Sequence, residues 1–179
     1  MKSTATRYGT IAASFHWVSA VVILTMLVTG VLSAGLVKGE TRSGLLRVHV
    51  VLGITLLAIT IARVIWGLVV DRRPAAFAGQ RRRERVAELS LRVLLYLALF
   101  AAFASGIATL LISGTALPLL GGVTVALPDF ESVPGFPIHG LAAGLLLLLS
   151  LGHIGAALWH QLVRKERVLA RIGIGRSAR

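Results

Sequence analysis

Residues 137–163 read PIHGLAAGLLLLLSLGHIGAALWHQLV, with no Asp, Glu, Lys or Arg anywhere in the stretch. A helix needs roughly 20 apolar residues to cross the hydrocarbon core of a bilayer, and this run exceeds that. Lipid offers unpaired backbone groups no partner, so a run of this kind is expected to be helical. His139 and His153 stand fourteen residues apart within it. That is nearly four helical turns, so both rings leave from one face. They are separated by about 21 Å along the axis, roughly two-thirds of the hydrocarbon thickness. One helix thus offers a basic ring near each face of a membrane.

Three further apolar segments precede it, at about 11–37, 48–70 and 86–112. The expected fold is all-α: an integral membrane four-helix bundle forming a single domain over 1–179. Composition agrees. Hydrophobic residues make up 56% of the chain and charged residues 15%, against roughly 25% charged in a soluble globular protein. The first segment is too long for the core of a signal peptide and no convincing cleavage site follows it, so it is expected to persist as a helix.

The net charge of +12 could suit nucleic acid, but no soluble module presents it, and no nucleic-acid partner is expected. The basic residues fall in blocks between the apolar segments. Fourteen lie on one side: Lys2 and Arg7; Arg72, Arg73, Arg81, Arg82, Arg83 and Arg85; Arg164, Lys165, Arg167, Arg171, Arg176 and Arg179. Three, Lys38, Arg42 and Arg47, lie on the other, and the connection 113–136 has none. Cytoplasmic connections carry the excess of Lys and Arg, which places both termini in the cytoplasm. The connection 113–136 contains Gly and Pro and is expected to lie across the outer surface as an irregular loop or short interfacial helix.

The chain has no cysteine. Disulfides, thiolate ligands, iron–sulfur clusters and covalent haem attachment are therefore excluded. It has five histidines, His16, His49, His139, His153 and His160, all in or at the ends of apolar segments. Ionisable groups in such segments are expensive and commonly functional. Depth sorts four of them into pairs. His16 lies nine residues after Arg7 and His153 eleven before Arg164, which gives an inner pair. His49 and His139 each open their segment at the outer end, which gives an outer pair.

Neutral imidazole is a good axial ligand for haem iron, and two from opposite sides fill both axial positions. Zinc prefers four ligands in a closed tetrahedron, which two separated pairs without Cys or nearby carboxylates suit poorly. Gly53, Gly140, Gly144, Gly152 and Gly155 flank the histidines and could leave room for a flat macrocycle. Ordinary close helix packing also uses glycine. His160 is an interfacial or quinone-site residue, or simply snorkels; it is the runner-up inner ligand. Arg63, fourteen residues past His49, returns at the inner level, where a guanidinium could pair with a haem propionate. Arg47 could do so at the outer level, although snorkelling is its simpler account. Arg92 follows Glu88 by four residues, the spacing of a helical ion pair.

These features together resemble the bacterial cytochrome b561 family, which is similar to the membrane cytochrome b subunits of nickel hydrogenases and formate dehydrogenases. The matching residues are Arg7-Tyr8 followed by His16-Trp17, HVVLG from His49 to Gly53, ARVIWG with Arg63 and Trp66, the series His139, His153 and His160, and the final VRKERVLARI. The resemblance covers about residues 5–172. It implies four helices holding two b-type haems, the inner on His16 and His153 and the outer on His49 and His139, in the bacterial inner membrane. It also implies electron exchange with the quinone pool. In some relatives the donor is superoxide and the acceptor ubiquinone; others are haem-bearing anchors of a hydrogenase- or dehydrogenase-like complex. Electron-donor protein, partner subunit and homo-oligomer all stay open at this point, as does whether the chain alone is an oxidoreductase. One departure is that Arg92 stands one turn before Tyr96, where relatives commonly have histidine. A haem-free transporter relaying protons through the histidines is the remaining alternative.

Overall fold

The computed structural model of the chain describes residues 2–71, 74–75, 80–122 and 127–175. Four of the fourteen basic residues counted above, Arg72, Arg73, Arg176 and Arg179, lie outside the described residues, as do positions 123–126 of the long connection. Among the described residues there is no strand. The long helices are α1 (Thr10–Val31), α2 (Gly39–Ile65), α3 (Arg82–Ile112) and α5 (Gly135–Leu158). Short helices α4 (Ala116–Gly121) and α6 (Val168–Arg171) and a 3₁₀ turn (Phe130–Ser132) complete the set.

Three of the long helices end in a wide π turn. These are Leu32–Leu36 after α1, Trp66–Val70 after α2 and Trp159–Val163 after α5. In each, the closing amide bonds the carbonyl five residues back: Val37 to Leu32, Asp71 to Trp66 and Arg164 to Trp159. Among the described residues four helices, counted with their π turns, are long and apolar enough to span a membrane: Thr10–Leu36, Gly39–Val70, Arg82–Ile112 and Gly135–Val163. Three of them lie close to the apolar runs read from the sequence. The helix containing α2 instead begins nine residues before its apolar run, so His49 sits well inside α2 rather than opening it. The segment Gly39–Arg47 is too polar to register as a span, but Glu40 in its first turn suits a helix N-terminus.

Along these helices large apolar side chains face outward: Leu68, Val69 and Leu141 are 81, 78 and 76% exposed. In water this would be a large unfavourable apolar surface; against lipid tails it is the expected one. Helix ends follow local chemistry. At the start of α3 the Glu84 carboxylate accepts the Arg81 amide at 3.1 Å, half of a capping box. Helix α4 stops at Gly122, whose φ of +74° is the left-handed conformation glycine tolerates. The Arg47 guanidinium lies against that glycine, so a Cβ there would come within 2.7 Å of it.

The chain divides into two compact units. One comprises residues 1–20, 58–95 and 148–179; the other comprises 21–57 and 96–147. In the first, the N-terminal arm, the segment after α2 and the C-terminal tail are tied by hydrogen bonds. The Ser3 amide and hydroxyl donate to the two Asp71 carboxylate oxygens at 2.8 and 2.7 Å. Ala75 N donates to Ala5 O at 2.9 Å, Tyr8 N to Arg171 O at 2.9 Å, and the Trp17 indole to Ile172 O at 3.0 Å. Arg171 also donates to the Ala75 carbonyl.

The Ser3 hydrogen bonds hold the Asp71 carboxyl below its usual range. The ionised form is the one these donors favour, so this clasp stabilises the fold above the ordinary carboxylate pKa and loses that effect as pH falls through the lowered value. Asp71→Asn is therefore expected to lower the melting temperature of the detergent-solubilised protein at neutral pH. The gap to wild type should close on acidification toward pH 3. A gap that persists or widens in acid would contradict this account.

Candidate functional site

The structure brings four of the five histidines into two pairs, each within a single unit. In the first unit, His16 of α1 faces His153 of α5, with ring centres 6.2 Å apart and planes at 68°. In the second, His49 of α2 faces His139 of α5, with ring centres 6.0 Å apart and planes at 82°. Both pairs are the ones that depth along the sequence suggests.

Imidazole nitrogens bind metals at about 2.0–2.1 Å, so two on opposite sides of one ion put their ring centres roughly 6 Å apart. Both pairs have that spacing. T-shaped packing of two rings spans the same distances, so for the second pair the hydrogen bonds on the far side of each ring carry the distinction. The His139 Nδ1–H donates to the Ala102 carbonyl of α3 at 2.9 Å, with Ser105 Oγ at 3.4 Å. His49 Nδ1 lies 3.1 Å from Thr29 Oγ1 of α1, and the Met26 carbonyl is a further partner of that ring. The Thr29 hydroxyl spends its own proton on the Thr25 carbonyl at 2.9 Å, so toward His49 its oxygen accepts. Each of these rings is therefore protonated at Nδ1 and, when neutral, keeps a lone pair on Nε2. This is the tautomer and outer-shell support that metal-ligating histidines use.

Two glycines make room for these rings, and neither was singled out from the sequence. A Cβ on Gly30 of α1 would come within 3.2 Å of His49 Cε1. A Cβ on Gly106 of α3 would come within 3.0 Å of His139 Cε1 and 3.1 Å of its Nδ1. The glycines noted in the sequence behave differently. A Cβ on Gly53 would meet the tip of Met26 at 3.2 Å, while one on Gly140, Gly144, Gly152 or Gly155 would meet nothing within 4 Å among the described residues. Space against a ring has to come from the opposing helix. Glycine is common in membrane helices, so composition gives no cue to Gly30 or Gly106.

An apolar cavity opens beside the second pair, lined among others by Met26, Leu57, Phe103, Gly106 and both histidines. Among the described residues no three His, Asp or Glu side chains converge as a metal-binding group. A metal at either pair would need its remaining ligands from the bound group itself, as a porphyrin supplies them. Buried serine hydroxyls without a partner among the described residues, Ser19 three residues after His16 and Ser33 in the wall of this cavity, are further polar groups that a ligand could satisfy.

Other charged residues fall as follows. Arg63 lies within electrostatic reach of both His16 and His153, and Arg92 within reach of His153. Arg92 also pairs with Glu88 at 2.5 Å, the i,i+4 contact expected from spacing. His160 sits in the last π turn, its Nδ1 2.5 Å from the Glu166 carboxylate. Arg164 bridges Glu166 and Glu84, each at 2.8 Å. The chain reverses here through left-handed backbone at Lys165 and Arg167, a feature no sequence signal announces.

Helices long and apolar enough to span a membrane, carrying two facing imidazole pairs, define the class as a multi-pass membrane protein. The family model for prokaryotic cytochrome b561 matches residues 7–175, and the chain belongs to that family. Membership carries b-type haem with it. The chain is also similar to cytochrome b561 homolog 2 of Escherichia coli (strain K12), at 29% identity over 182 aligned positions covering 98% of this chain and 95% of that protein. No solved structure matches it.

Proposed function

We propose that the chain is a di-haem b-type cytochrome that passes single electrons to or from the quinone pool of the bacterial inner membrane. His16 and His153 would hold one haem, and His49 and His139 the other, with Arg63 a charge partner at the first. The observation that carries this reading is the pair geometry: two facing imidazole pairs at ligand spacing, with the rings of the second pair fixed at Nδ1 by Thr29 and Ala102. Haem b, when bound, supplies reversible one-electron iron chemistry. The protein's part is to orient the rings, to exclude water with apolar walls and to set the local charge. The basic excess on the side of the termini supports a cytoplasmic location for both ends, and the 179 residues act as one membrane domain.

Two measurements on purified protein test this. A pyridine haemochrome assay is expected to give two haem b per chain; one per chain would defeat the di-haem reading. The reduced chain alone is expected to be reoxidised by a soluble quinone analogue. Failure there would point instead to an anchor subunit that needs a partner. Supplying superoxide as sole donor tests the narrower superoxide:ubiquinone reading, which predicts haem reduction.

A further inference from the structure

We infer that Ser33 and Arg42 form a carboxylate-binding site on the rim of the His49–His139 cavity, and that its ligand is a propionate of the haem held there. This rests on the reading that this pair holds a haem. The π turn after α1 makes the site. Its closing amide, Val37 N, takes the Leu32 carbonyl, and the next carbonyl, of Ser33, receives Arg42 Nε at 2.9 Å. Arg42 is thereby anchored through Nε, which leaves the two terminal nitrogens of its guanidinium for another acceptor. Its guanidinium carbon lies 6.0 Å from the centre of the Phe130 ring, an aromatic wall on one side.

Ser33 is 5% exposed, and its hydroxyl has no hydrogen-bond partner among the described residues. Both Ser33 and Arg42 line the cavity that holds the two histidines. Arg42 also lines an adjoining polar pocket with Lys38, Asp129 and Glu131, yet no carboxylate comes within 4.0 Å of it among the described residues. Asp129 is occupied in capping, accepting the Glu131 amide at 3.1 Å. A buried hydroxyl without a partner beside an anchored guanidinium asks for an anionic acceptor. A haem carboxylate arriving with its macrocycle between His49 and His139 brings one.

Redox titration of the two-haem protein tests the site without relying on turnover. Arg42→Gln is expected to keep two haems per chain and to lower the potential of one centre by about tenfold in the one-electron equilibrium, about 59 mV, leaving the other unmoved. Arg42→Lys should recover part of the shift, and Ser33→Ala should give a smaller shift of the same sign. Removing a positive charge alone could lower a potential through its field, so a second arm uses protein reconstituted with haem dimethyl ester. There the difference between wild type and Arg42→Gln should fall below half. An undiminished difference with the ester, or unchanged potentials in both Arg42→Gln and Ser33→Ala at two haems per chain, would overturn the site. A wild type with no haem at this pair would instead overturn the reading it rests on.

Discussion

Purified His49→Ala protein is expected to carry one haem b per chain instead of two. Without cysteine there is no thioether attachment, so a haem here would depend on its axial bonds and the shape of its site. On the proposed reading an alanine would remove one of two axial imidazoles, and it leaves the Thr29 and Met26 acceptors without the ring they support. The pairing makes a sharper claim when substitutions are combined. His49→Ala with His139→Ala empties one site only, so it should still leave one haem. His49→Ala with His153→Ala strikes one ligand of each pair and should leave none. Haem per chain by pyridine haemochrome, with reduced-minus-oxidised spectra to resolve the surviving centre, reads both. Equal haem content in the two double variants would break the pairing.

Gly106→Val is expected to have nearly as large an effect without replacing a histidine. A Cβ at that position would lie 3.0 Å from His139 Cε1, closer than carbon atoms normally approach, and the branched methyl groups add bulk. Overpacking of this kind typically costs about 1–3 kcal/mol when side chains can move aside. Here the ring is held to the Ala102 carbonyl, so relief means giving up either that hydrogen bond or the ligand geometry. The expected result is a folded protein missing the haem of the His49–His139 pair, with Gly106→Ala intermediate. Gly44→Ala, on α2 outside the cavity beside that pair, serves as the control. A Cβ there meets nothing within 4 Å among the described residues, and replacing a helical glycine by alanine is intrinsically favourable by roughly 0.5–1 kcal/mol. Two haems and an unchanged or slightly raised melting temperature are expected there. Full haem retention in Gly106→Val would show that the ring has more room than the geometry allows.

The spans were readable in advance because lipid imposes a simple rule on them: long charge-poor runs separated by basic blocks. The pairing of the histidines was readable too, since depth along a membrane helix is nearly linear in residue number. The early start of α2 was not, because Gly39–Arg47 forms helix from polar residues that carry no hydropathy signal. Nor was the contact of His160 with Glu166, which depends on a chain reversal at Lys165 and Arg167. Gly30, Gly106 and Ser33 acquire meaning only from what lies opposite them. A single sequence without its tertiary neighbours gives those residues no distinguishing mark.

Helix α3 contributes no histidine, yet it aims one. The acceptor that fixes His139 is the main-chain oxygen of Ala102, and no side-chain replacement can delete a peptide carbonyl. A survey by alanine substitution would therefore pass over this contact, and residue 102 could drift among small side chains without disturbing it. What this arrangement preserves is a backbone path, so a histidine-free segment can be indispensable to metal binding while its residues look interchangeable.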